Sequence, residues 1–214
     1  MPISISGSGT ISGLIVDGLP AGTVNTATIA ANAVVTSTIA ANAVVTIDIA
    51  AAAVTPAKLS QPLTVMTSVA STSGTSITFT NIPSWARRIT VMLQGVSTTG
   101  TSVGVQLGTS GGFVTSGYLG VCNDGGTPSY YSSMFLATPG YSAGVFVTHG
   151  MFVLTNITGN SWTEQHILGL SSALATPGTG AGSIALAATL TQIRLTTVNG
   201  TDTFDLGNVN VMYE

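Results

Sequence analysis

The sequence predicts a mainly β protein: an N-terminal docking arm and a trimeric stalk of ten-residue repeats, followed by a C-terminal antiparallel β-sandwich head of jelly-roll-like type. Three observations predict it. Residues 28–59 read TIAANAVVTS, TIAANAVVTI, DIAAAAVTPA and KL, a fixed short period that marks a repeat architecture. From Leu63 onward, short runs of β-branched and aromatic residues alternate with turn residues. Charged residues are only 5% of the chain, against about 25% in ordinary domains.

Residues 1–24 form the first segment, the arm. Ile3, Ile5, Ile11, Leu14 and Val16 sit among Gly and Ser, with turn signals at Asp17-Gly18 and Pro20-Ala21-Gly22. Alternating Ile and Ser suits an arm that adds a strand to another protein's sheet edge. Gly7-Ser8-Gly9 lacks the spacing, the Lys and the following helix of a phosphate loop.

Residues 25–62 form the stalk and its hinge. Ile29, Ile39, Ile49 and Leu59 recur every ten residues, and Val34, Val44 and Val54 keep the same spacing. One unit buries too little apolar surface to offset the entropy of ordering its ten residues. Between Met1 and Ile47 the only charged side chain is Asp17, unlike a disordered linker. Left uncovered, such a Val-rich stretch aggregates. Association of identical chains is the simplest cover, so a homotrimer is expected, with Ile29, Val34, Ile39, Val44, Ile49, Val54 and Leu59 at its centre. Three helical turns per unit would need about 3.3 residues per turn, too tight for a straight helix. A better fit is one turn capped by Thr28 or Thr38, then an extended Val-Val-Thr. The Thr and Asn in the units, and the ten-residue period, argue against a membrane span.

Residues 63–214 form the head. Runs at 76–80, 88–94, 102–107, 112–118, 131–136, 144–154, 163–170, 183–188, 192–198 and 203–213 give about ten strands at sandwich or barrel spacing. Gly178-Thr179-Gly180-Ala181-Gly182 reads as a loop. Asn199-Gly200 reads as a hairpin turn joining the last two strands. In the final strand Val209, Val211 and Tyr213 share one face, while Asn208, Asn210 and Met212 share the other.

Residue chemistry excludes more than it assigns. Net charge is −3 with four basic residues, so a nucleic-acid groove is not expected. Cys122 stands alone and reads as a small buried hydrophobe. His149 and His166 have no second ligand at metal spacing, so no metal and no cofactor are expected. No Gly-x-Ser-x-Gly elbow accompanies either histidine, and their pairing with an acid is open. Apart from Glu214, only Asp124, Glu164, Asp202 and Asp205 supply carboxylates in the head; Asp202 and Asp205, three apart beside a hairpin, point to opposite sides of a strand, which disfavours a glycosidase. Arg87 and Arg88 follow Trp85; in a strand one is expected to point inward and the other out, with stacking on Trp85 or an acidic partner. Tyr118, Tyr130, Tyr131, Tyr141 and Trp162 fall near strand ends and loops. They either plug the ends of the sandwich or offer flat faces to a sugar.

The opening SISGSGTISGLIVDGLPAG, the IAANAVVT repeats running into TPAKLSQPLT, the segment IPSWARRITVMLQGVSTTGTSVGVQLGTSGGFVTSGY and the closing DLGNVNVMYE resemble the fibre proteins of tailed bacteriophages and their prophage relatives. The specific part is Ile82 to Tyr118. The resemblance implies a homotrimeric virion fibre, docked by its N-terminus on a tail or capsid protein, its β-rich head facing outward. It carries no catalytic residues to transfer. A tail fibre binding host-surface glycan is the leading expectation. A capsid head fibre or decoration protein is the alternative, favoured by a chain short for a tail fibre, and a glycan-cleaving spike is a minor one. No basic segment precedes an apolar core at the N-terminus, which fits assembly in the host cytoplasm and residence on the virion, without membrane insertion.

Overall fold

The computed structural model describes residues 44–45, 49–50, 53–55, 58–126, 128–138, 146–171 and 176–214. The chain divides into two units, Met1–Thr55 and Pro56–Glu214. In the first, Val44, Ile49 and Val54 are 54%, 45% and 55% exposed on a single chain. The arm residues Ile3, Ile5, Ile11, Leu14 and Val16 lie outside the described residues, as do Ile29, Val34 and Ile39 and the capped turn expected there.

The second unit is mainly β, with two antiparallel sheets. The larger contains β1 (Thr64–Val65), β2 (Val69–Ala70), β4 (Arg88–Thr98), β7 (Leu119–Asn123), β8 (Ser129–Tyr131), β10 (Val147–Thr158), β11 (Ser161–Ser171), β12 (Thr176–Ala185) and β14 (Phe204–Tyr213). Its order is β1-β14-β4-β10-β11-β12-β7-β8, with β2 also on β14. The smaller contains β3 (Ser76–Phe79), β5 (Val103–Thr109), β6 (Gly112–Phe113), β9 (Phe135–Leu136) and β13 (Gln192–Thr197). Here the order is β3-β13-β5-β6, with β9 also on β5.

Alternation decides which side chains go inside. Ile89, Val91 and Leu93 of β4, Val209 and Val211 of β14, and Phe152 and Leu154 of β10 project from the larger sheet. They meet Ile77 and Phe79 of β3, Val103, Val105 and Leu107 of β5, and Ile193 and Leu195 of β13 in one core. The expected split of the last strand holds: Val209 and Val211 are buried, and Asn208 is exposed.

Four expectations are corrected. Asn199-Gly200 is a turn, with Gly200 at φ 69, but not a hairpin: β13 pairs with β3 and β5, whereas β14 pairs with β1, β2 and β4. The turn carries the chain from one sheet to the other, as the β4–β5 connection does nearby. Asp202 ties the two connections together, accepting from the Thr101 N–H and from Asn199 Nδ2 at 2.8 Å. Gly178 to Gly182 is not a loop but the middle of β12. The strand expected over 112–118 ends at Phe113, with one further bond in the same register, Val114 N–H donating to the Leu107 carbonyl at 2.9 Å. Arg87 and Arg88 are both exposed; neither points inward.

One pair of glycines in this frame is dictated by backbone geometry. Gly95 (φ 66) and Gly207 (φ 98) sit where β4 and β14 slip register. A Cβ on Gly207 would collide with the Gly95 carbonyl, and its φ is one L side chains rarely adopt.

Candidate functional site

The five aromatic candidates do not form one surface. Tyr118 is fully buried, and Trp162 is 4% exposed. Both are core residues, which corrects the expectation that they face a receptor. Tyr118 closes the 112–118 segment onto β5: Leu107 N–H donates to its hydroxyl at 2.8 Å, and the hydroxyl donates to the Val114 carbonyl at 3.1 Å. Its ring meets Phe135 edge-on at 4.9 Å, and burial pushes its phenol up to about 12. Tyr131 is half-buried beside Cys122 and Met134. Tyr130 is 61% exposed, and its hydroxyl donates to the Tyr118 carbonyl at 3.2 Å. Tyr141 lies outside the described residues. Only Tyr130 and, in part, Tyr131 offer ring surface to a ligand among those described.

The arginines have mundane partners. Arg88 pairs with Glu214 at 3.2 Å, and Arg87 donates to Asn156 Oδ1 at 2.9 Å. Trp85 stacks edge-on against Tyr213 at 5.6 Å instead. On the smaller sheet Arg194 lies 4.3 Å over the Phe113 ring and donates to Gln106 Oε1 at 2.8 Å. Gln106 Nε2 in turn donates to the Ser133 carbonyl at 2.8 Å.

Sequence reasoning missed one buried polar cluster. Glu164 and His166 lie two apart on β11, hence on the same face, and both are nearly inaccessible. His166 Nδ1 is 2.8 Å from Glu164 Oε1, and Nε2 is 3.1 Å from the Ala137 carbonyl. A carbonyl only accepts, so Nε2 carries a hydrogen, and a single proton is shared between Nδ1 and the carboxyl. Burial pushes the Glu164 carboxyl above its ordinary range, opposed by the hydrogen bond and charge of His166. The alternation of β11 was the available signal.

The glycines of β12 make room for this pair. Glu164, His166 and Leu168 stand opposite Gly182, Gly180 and Gly178. A Cβ on Gly180 would lie 2.7 Å from His166 Nε2 and 2.9 Å from the Val121 carbonyl. On Gly182 it would lie 2.9 Å from the Phe135 ring, and on Gly178 2.5 Å from the Thr138 methyl. The imidazole and residues 135–138 occupy the volume that three side chains would fill. Through the Ala137 carbonyl, the pair also anchors the segment whose β9 belongs to the other sheet.

This arrangement is built for anchoring rather than chemistry. Both imidazole nitrogens are engaged, so the ring presents no spare base to a substrate. Cys122, opposite Gly180 on β7, is 2% exposed. Burial, reinforced by Asp124 and Glu164, pushes its thiol up to about 12, far from a thiolate nucleophile. Among the described residues no three or more His, Cys, Asp or Glu side chains are grouped to hold a metal ion. His149 is exposed and accepts the Gly95 N–H at 3.2 Å, closing the β4 bulge.

The outer face of the larger sheet is the opposite of its inner face. Val65, Met212, Thr90, Val153, Gln165, Ala181, Val121 and Tyr130 stand side by side across eight strands. A second row runs Asn210, Met92, Met151, Ile167, Thr179 and Asn123. None of these residues is charged. Ile167 is 73% exposed, Val65 57%, Val121 49% and Met151 47%. A shallow depression is lined by Met151, Val153, Gln165, Ile167, Thr179 and Ala181. The Arg88–Glu214 pair lies at one border of this field.

Among the described residues no helix is long and apolar enough to cross a membrane. Comparison with known protein families, curated proteins and solved structures returns no match for this chain.

Proposed function

We propose that the chain is a bacteriophage virion fibre, a non-enzymatic structural and adhesion protein whose head binds the host cell surface. The observation that carries this reading is the ten-residue repeat over residues 28–59, whose only charged side chains are Asp48 and Lys58 and whose single unit buries too little apolar surface to stand alone, joined to a charge-poor β head. A repeat of that kind serves as a spacer between a docking end and a presented end. The resemblance of 82–118 to tailed-phage fibres points the same way. In this reading the arm docks on a tail protein, three chains share the stalk, and the head meets host glycan. Two antiparallel sheets with one core support a sandwich head. Nested pairing of β4 with β14 and of β5 with β13 supports its jelly-roll-like character.

The test is to label the N-terminus and image the particle. Label at the tail, with adsorption of the full-length protein to host envelope, is the expected outcome. Label on the capsid surface reassigns the chain to a head fibre or decoration protein. A stable single-chain mass in solution would defeat the stalk.

A further inference from the structure

We propose that the outer face of the larger sheet is a contact between copies of this chain, packed sheet to sheet against a neighbouring head. The inference rests on the fibre reading for the proximity of the copies, and goes beyond it by placing an interface in the head.

Three features argue for a second copy as the occupant. The first is extent. Eight strands side by side span about 34 Å at the usual spacing of ~4.8 Å. Two rows of outward side chains then present on the order of 500 Å². That is over half of what a standard interface takes from each partner, and its exposed apolar members, Ile167, Val65, Val121 and Met151, lie within the two rows. The second is charge. With Val121, Val153, Met151, Ile167 and Ala181 at its centre, the face carries no charge in either row, so identical copies meet without repulsion. The Arg88–Glu214 pair lies at the border, matching an apolar centre with a polar rim. The third is shape. A sugar site needs convergent polar groups in a concavity, whereas the middle of this face is a shallow surface of Met151, Val153, Ile167, Ala181 and Val121 with only Gln165 and Thr179 polar among them. What fits it is the like face of another copy. Joined by a common stalk, the heads are held at high effective concentration, so even a modest contact forms. In a three-fold assembly the faces turn toward the axis.

Solution mass and hydroxyl-radical footprinting on the full chain test this together. The wild type is compared with the double variant Ile167→Lys, Val121→Lys, with exposed Val198 as internal control. Expected is a multi-copy wild type in which Met151 labels at least about fivefold more slowly than in the variant, while Val198 labels alike in both. A multi-copy wild type whose Met151 labels as fast as the variant's overturns this inference and leaves the fibre reading standing. A single-chain mass overturns both. Slow labelling on a single-chain species means the face is covered by its own chain, which also overturns the contact. If the double variant misfolds, Ile167→Thr keeps the comparison: about a twofold rise in Met151 labelling is expected, and no rise counts against the contact.

Discussion

Strand β11 wears its polarity inside out. Inward it carries Glu164 and His166, both nearly inaccessible; outward, between and beside them, it carries Gln165 and Ile167, the latter 73% exposed. The inward polar groups survive burial because each is matched: carboxyl to imidazole, imidazole to the Ala137 carbonyl. The outward Ile has no such account within one chain. A buried pair is satisfied by its own fold, whereas Ile167 stays exposed on the single chain. The register is held by Trp162, Leu168 and Leu170, which need the inside more than Ile167 does.

The largest effect expected from breaking this contrast is at the pair. Glu164→Ala leaves His166 Nδ1 unmatched in the core, and a loss of about 3–5 kcal/mol is expected, read by denaturant unfolding. Glu164→Gln can donate to Nδ1 and should lose clearly less; equal losses would show that the pair contributes only packing.

Next comes the space that admits the pair. Gly180→Ala drives a methyl into the imidazole, and a cost of about 1–3 kcal/mol is expected. In a His166→Ala background the methyl meets no ring there, so the two changes should be non-additive in a double-mutant cycle.

The pH dependence is smaller and has a fixed sign. With the Glu164 carboxyl held above its ordinary value of 4.5, the folded state keeps its proton longer than the unfolded one. The contribution of this group is therefore fully present below the ordinary value and falls as pH rises through the raised one. Asp202 runs the other way. Its hydrogen bonds from Thr101 and Asn199 hold it below its ordinary value of 3.8, so its contribution is present above that value and is lost as pH falls through the lowered one. Thermal melts of wild type and Glu164→Gln across pH 4–7 should diverge, with only the wild type showing the Glu164 decline.

The smallest effect is outside. Ile167→Thr, at an exposed strand position, should change the intrinsic stability of one chain by no more than about 0.5 kcal/mol. A larger loss in dilute, dissociated protein would mean that the Ile is packed within its own chain, erasing the contrast.

Much of the head was legible from period-two alternation. Arg88 to Gln94, Thr163 to Leu170 and Gln192 to Val198 each contain or overlap a real strand, because β-branched residues on alternate positions have few other solutions. The β12 glycines were not legible. Gly-x-Gly-x-Gly looks like a loop to any local rule, since glycine lacks both strand propensity and a side chain to pattern. Its strand is imposed by β11 and β7 on either side. Tyr118 and Trp162 misled for a related reason: an aromatic near a turn can fold over the core or away from it, and only the neighbouring strands choose.

By itself the sequence determined the β class, the low charge, the alternating faces of β14 and the ten-residue period of residues 28–59. Composition and periodicity act locally, so they can be read locally. Which strands share a sheet was decided only in three dimensions. The Asn199-Gly200 turn changes sheets because β13 and β14 find different partners, a matter of long-range pairing that two turn residues do not encode. The same pairing sets Glu164 and His166 against the glycines of β12 and turns Ile167 outward, because successive side chains of a strand point to opposite faces.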